Sequence, residues 1–144
     1  RKIYGEKLGS EKWASTGEKV STTNCDGVKV GVLVCADSWF DERPASLKEQ
    51  GAEIIIDIAA WPETPETGNP IPSWIKVNRN TGIPFVVNNQ TGKTKWMDMS
   101  IGESVLIQDE EVICKYSGGE AVLLFDFDVT SKKILSKKFE VIKL

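Results

Sequence analysis

The stretch Val28-Lys29-Val30-Gly31-Val32-Leu33-Val34-Cys35-Ala36-Asp37 constrains this chain more than any other. Apart from Lys29, everything before the thiol is Val, Gly or Leu without polar alternation, the pattern of a strand buried on both faces. Asp37, Ser38, Asp41 and Glu42 then break the apolar run, Pro44 opens a helical segment over residues 43–50, and Gly51 closes it. Residues 52–60, with Ile54, Ile55 and Ile56 in succession, read as a second buried strand. Strand, helix, strand implies a right-handed parallel crossover. In open α/β sheets ligands and chemistry collect at the carboxyl ends of strands, and Cys35 stands at such an end.

The remaining segments extend the same pattern. Asp26-Gly27 is a tight-turn signal joining a short strand over residues 19–23 to the first buried strand, and residues 1–19 read as a long Gly- and Lys-rich loop. A loop running from Trp61-Pro62 to Pro70 leads into a helix over residues 72–80, stopped by Gly82 and Pro84. Phe85-Val86-Val87-Asn88-Asn89 is a third strand, so that one sheet edge gathers Cys35, Trp61 and Asn89. After a polar loop, residues 104–108, 111–116 and 121–127, separated by Asp109-Glu110 and Gly118-Gly119, read as an antiparallel meander. Residues 130–138 are ambiguous, and residues 139–144 alternate as an edge strand or tail. The fold class is α/β, with a mixed sheet whose first part is parallel.

Composition removes several functions. A chain of 144 residues is one domain able to bury about two thirds of its unfolded surface. A net charge of −3 argues against a nucleic-acid groove, and the apolar runs are too short to cross a bilayer, so a cytoplasmic protein is expected. Cys25, Cys35 and Cys114 are too few and too widely spaced for a disulfide framework or metal knuckle, and neither a metal nor another cofactor is called for. There is no histidine, which eliminates Ser-His and Cys-His nucleophile pairs. Any base must be a carboxylate or a lysine.

Gly31-Val32-Leu33-Val34-Cys35-Ala36-Asp37, followed by Gly51-Ala52-Glu53-Ile54-Ile55, resembles the nucleophile segment of the nitrilase superfamily of carbon-nitrogen hydrolases. Arg1-Lys2-Ile3-Tyr4 resembles that family's lysine motif, and Trp13-Ala14-Ser15-Thr16-Gly17 its intervening loop. Ala59-Ala60-Trp61-Pro62, Val86-Val87-Asn88-Asn89 and Gly102-Glu103-Ser104 resemble later segments, in the family's order. The resemblance implies half of an α-β-β-α sandwich over residues 1–144, the amino-terminal half being absent. The start at Arg1-Lys2 without methionine is in keeping with a part of something longer.

The family's Glu-Lys-Cys triad works without histidine, since an ammonium lowers a thiol pKa and a carboxylate acts as base and then acid. Carried onto matching positions, the resemblance implies Cys35 as nucleophile, Lys2 as cation and the Ala36 N–H as oxyanion donor. A second carboxylate near the lysine is matched by Glu11, with Glu6 a competitor, and the general-base glutamate lies upstream of Lys2, outside the chain. Trp39, Ala60, Trp61 and Asn89 would line the substrate site, although the two tryptophans read equally as core. Ala36 replaces the aromatic residue many members carry after the nucleophile, and Val77-Asn78-Arg79-Asn80-Thr81 departs from the family's helix motif. The expected substrate is a small amide or nitrile. The expected partners are an amino-terminal half or separate chain supplying glutamate, and a second copy in a homo-oligomer. Without that base the chain alone should be inactive. Two other readings stay open: a non-catalytic assembly domain, in which Cys35→Ser changes nothing, and a small-molecule-binding module. Against the latter, no Gly-x-Gly-x-x-Gly or phosphate loop follows any strand.

Overall fold

A computed structural model describes residues 15–62, 64–95 and 97–144. Its centre is a mixed sheet in the order β1-β2-β3-β4-β5-β6, formed by Thr22–Cys25, Val28–Val34, Ile54–Ala59, Phe85–Asn89, Ser104–Gln108 and Glu111–Tyr116. β2, β3 and β4 run parallel, and β1, β5 and β6 are antiparallel to their neighbours. The two turns anticipated from sequence close by the mechanism that hairpins require. Asp26 and Gly27 adopt φ of 49° and 88°, and Asp109 and Glu110 adopt 53° and 64°, matching the right-handed twist of the strands they join. The second turn has no glycine, and the Asn78 side chain holds it by accepting the Glu110 N–H at 2.8 Å.

Helix α1 (Glu42–Glu49) and helix α2 (Ile71–Thr81) cover one face of the sheet. They seal a core of Leu33, Leu47, Ile55, Trp74, Phe85, Val87, Val105 and Ile107. Gly31 allows the approach of α1, since a Cβ there would stand 2.8 Å from Leu47 Cδ1. α2 ends where Gly82 takes φ 70° and its N–H returns to the Asn78 carbonyl at 2.7 Å, a left-handed cap suited to glycine. The parallel crossover is fastened at its start by Glu53, which accepts the Lys29 N–H at 2.8 Å. That bond, with the Lys132 ammonium beside it, holds the Glu53 carboxyl below its ordinary pKa.

The opposite face departs from the expectation of strands buried on both sides. Near the amino ends of the parallel strands it carries a second cluster, Ile54, Val86, Leu106 and Cys114, capped by Ile134 and the flanking Phe125, Phe127 and Phe139. Toward their carboxyl ends it opens, leaving Val32 37% and Ile58 52% exposed. The run of apolar residues is the same at both ends. The covering segment reaches only one of them.

That segment also corrects the expected meander. β7 (Ala121–Leu124) leaves the sheet after Gly118-Gly119 and pairs antiparallel with β10 (Glu140–Lys143), while β8 (Phe127–Asp128) pairs with β9 (Lys133–Ile134). Side chains hold it to the sheet, with Gln108 Oε1 accepting the Ile134 N–H at 2.7 Å.

Candidate active site at the carboxyl ends of β2, β3 and β4

β2 ends at Val34, and the chain turns at once into a short 3-10 helix, Cys35–Trp39. At the junction Cys35 adopts φ 55°, a left-handed conformation that costs a residue with a Cβ about 1–2 kcal/mol. The turn is held by side chains. Asp57 Oδ1 accepts the Cys35 N–H at 2.6 Å, Ser38 Oγ donates to the Cys35 carbonyl at 2.8 Å, and Asp37 Oδ2 accepts the Val34 N–H at 3.3 Å. Asp37, Ser38 and Asp57 are all buried, which is where polar groups are retained when they are hydrogen-bonded.

Of the three free cysteines, Cys25 is exposed on the hairpin, Cys114 is buried in β6 and Cys35 is half-buried. Burial pushes the Cys114 thiol above its ordinary pKa, which suits a structural residue. Ala36, the residue whose N–H follows the thiol, is buried.

The neighbouring strand ends supply a wall. Asn89, at the end of β4, accepts the Trp61 N–H at 2.9 Å through Oδ1 and donates to the Trp61 carbonyl at 3.2 Å through Nδ2. Ser104 Oγ accepts the Asn89 N–H at 3.0 Å, tying β5 into the same edge. The Trp61 indole donates to the Gly68 carbonyl at 3.0 Å and meets the Trp39 ring edge-on, with centroids 4.9 Å apart, a geometry favoured by the aromatic quadrupole. Trp39 is 43% exposed and Ala60 is exposed. Cys35, Ala36, Trp39, Ala60, Trp61 and Asn89 thus all belong to the carboxyl ends of three adjacent parallel strands. The Trp39–Trp61 contact draws the β2 and β3 ends together, and Asn89 joins that of β4. Lys2 and Glu11, expected beside the thiol, lie outside the described residues.

Sequence reasoning missed Asp57, Asp37 and Ser38. For Asp57 a signal was present: a lone carboxylate inside Ile54–Ala59 is a charge placed where burial requires a partner. Among the described residues no group of three or more Cys, Asp or Glu side chains is arranged to hold a metal ion, and no helix is long and apolar enough to cross a membrane.

Comparison with known proteins places this geometry in context. The carbon-nitrogen hydrolase family model matches residues 1–129. The fold is similar to that of an amidase of the nitrilase superfamily from Nesterenkonia AN1, with TM-score 0.68 and 19% identity, covering 83% of this chain and 45% of that one. It is similar to a carbon-nitrogen hydrolase from Helicobacter pylori, with TM-score 0.64 and 23% identity over 82% of this chain and 47% of that one. It is also similar to glutamine-dependent NAD+ synthetase from Acinetobacter baumannii, with TM-score 0.76 and 17% identity over 99% of this chain and 27% of that one. The chain therefore spans less than half the length of each of these structures. No curated protein matches it.

Proposed function

The chain belongs to the carbon-nitrogen hydrolase family, and from that premise we propose that Cys35 is the nucleophile of a site that cleaves small amides through a thioester. A carboxylate takes the thiol proton, and sulfur attacks the amide carbon to give a tetrahedral oxyanion. The Ala36 N–H and the Lys2 ammonium are assigned to that oxyanion, with Glu11 beside Lys2. Collapse expels the amine with the transferred proton, and water then hydrolyses the thioester to release the acid and regenerate the thiol. Trp39, Trp61, Ala60 and Asn89 form the wall against which the acyl group rests.

The observation that carries this reading is the position and conformation of Cys35. It is the half-buried thiol of the three, at a strand end, held with φ 55°. Such strain persists where surrounding structure enforces it, and it clusters at functional sites.

The base is assigned to a segment outside this chain. The same segment would cover the open sheet face around Val32 and Ile58, an apolar surface next to the reactive edge. A narrower reading takes the side-chain carboxamide of glutamine as substrate. Its support is that the likeness to the glutamine-dependent synthetase runs over 99% of the chain, whereas the family match ends at residue 129.

The test is release of ammonia from acetamide, propionamide and glutamine by the full-length protein containing this chain, beside its Cys35→Ala variant. Hydrolysis abolished by the substitution is the expected result, with preference among the three amides choosing between the broad and narrow readings. Turnover that survives Cys35→Ala rules out the nucleophile, and a native protein inert toward every amide favours a non-catalytic assembly role.

A further inference from the structure

We propose that Asp57 is a positioning residue for the nucleophile, fixing the direction of the Cys35 thiol by holding the backbone N–H of the same residue; this deepens the reading of Cys35 given above and rests on it. The carboxylate is fully buried in β3 and receives the Cys35 N–H at 2.6 Å. Removing a carboxylate from water is costly and is tolerated where it makes strong hydrogen bonds. Leu33 and Asp57 are register partners across β2 and β3, so Asp57 is one strand over and just below the turn. A regular parallel ladder would continue backbone to backbone at this level. Here a side chain accepts the N–H in place of a carbonyl, which frees Cys35 to leave the strand and enter the left-handed region. Ser38 secures the other side by donating to the Cys35 carbonyl at 2.8 Å. Both peptide groups of one residue are thereby pinned by side chains, and its Cα–Cβ bond is aimed by them.

An asparagine at 57 keeps an oxygen acceptor in nearly the same place, whereas alanine removes it. Asparagine removes the charge alone, and alanine removes the acceptor together with the bulk and the charge. A misplacement of about 1 Å at a reacting atom costs up to about 100-fold in rate, so Asp57→Ala should slow alkylation of Cys35 by about 10–100-fold relative to the exposed Cys25, and Asp57→Asn should retain most of the native rate.

The experiment combines two readouts on the full-length protein containing this chain: iodoacetamide alkylation of Cys35 and Cys25 followed by peptide mass spectrometry, and the 15N-resolved Cys35 amide proton. In the native chain that proton is expected far downfield and slow to exchange, as a charge-assisted donor is. It should move upfield in Asp57→Asn while staying protected, and lose protection in Asp57→Ala. A native amide at an ordinary position with fast exchange overturns the inference, as does unchanged Cys35 alkylation in Asp57→Ala. If Asp57→Ala does not fold, an unmoved Cys35 amide in Asp57→Asn overturns it equally. If Cys35 is fast in the native chain and remains fast in Asp57→Ala, the nucleophile stands and the positioning role falls. If native Cys35 reacts no faster than Cys25, the nucleophile itself falls and the inference with it.

Discussion

Asn89 uses one amide group to fasten two backbone atoms of another residue. Its oxygen accepts the Trp61 N–H at 2.9 Å and its nitrogen donates to the Trp61 carbonyl at 3.2 Å, so the loop after β3 takes its direction from the last residue of β4. Trp39 then packs its ring edge-on against Trp61, and the wall beside Cys35 depends on a single side chain at position 89. Asn89→Ala leaves two half-buried backbone groups without that partner, which costs about 1–3 kcal/mol. Urea unfolding should register the loss, and hydrogen exchange at the Trp61 amide should accelerate while the core of α2 and β4 is unchanged. An Asn89→Ala chain as stable as the native one, with the Trp61 amide still protected, would remove Asn89 from this role.

At the scale of elements, the packing of α1 on β2 turns on the absence of one carbon atom. A Cβ at Gly31 would lie 2.8 Å from Leu47 Cδ1 and 3.3 Å from Leu47 Cβ, and Leu47 is fully buried. Gly31→Ala should therefore destabilise the fold by about 1–3 kcal/mol through overpacking. Gly119→Ala, where an added Cβ meets nothing within 4 Å, should stay within about 0.5 kcal/mol of native. Equal denaturation midpoints for the two variants would contradict this packing. Which elements were legible beforehand follows from the same physics. β2, β3 and β4 announced themselves as predominantly apolar runs, interrupted only by Lys29 and Asp57 before the closing Asn88-Asn89, and Asp26-Gly27 and Asp109-Glu110 as turns, because those signals are local. The exchange of partners by β7 was not legible. Ala121-Val122-Leu123-Leu124 is apolar at every position, so it suits a sheet interior and a two-stranded ribbon equally, and only the distant Glu140–Lys143 decides between them. The site divides in the same way. Cys35, Trp61 and Asn89 follow from strand ends, whereas the Asp57 contact depends on parallel register between two strands joined by a helix, which no local pattern encodes.

For the whole molecule, the described residues bury the centre of the sheet on the helical side and cover the other face only in part. Ile134 and the phenylalanines at 125, 127 and 139 close the end remote from Cys35, and Val32 and Ile58 remain open at the end where the thiol sits. We propose that one additional layer both buries this apolar surface and brings the missing base to Cys35, so that completing the core and completing the catalytic group are one event. The central claim, that the Cys35 sulfur carries the acyl group between the two halves of the reaction, is tested most directly by acid-quenching the full-length protein during turnover of a small amide. Peptide mass spectrometry then locates any adduct. The expected result is an acyl mass on the peptide containing Cys35 and on neither Cys25 nor Cys114; steady turnover with Cys35 unmodified throughout would contradict it.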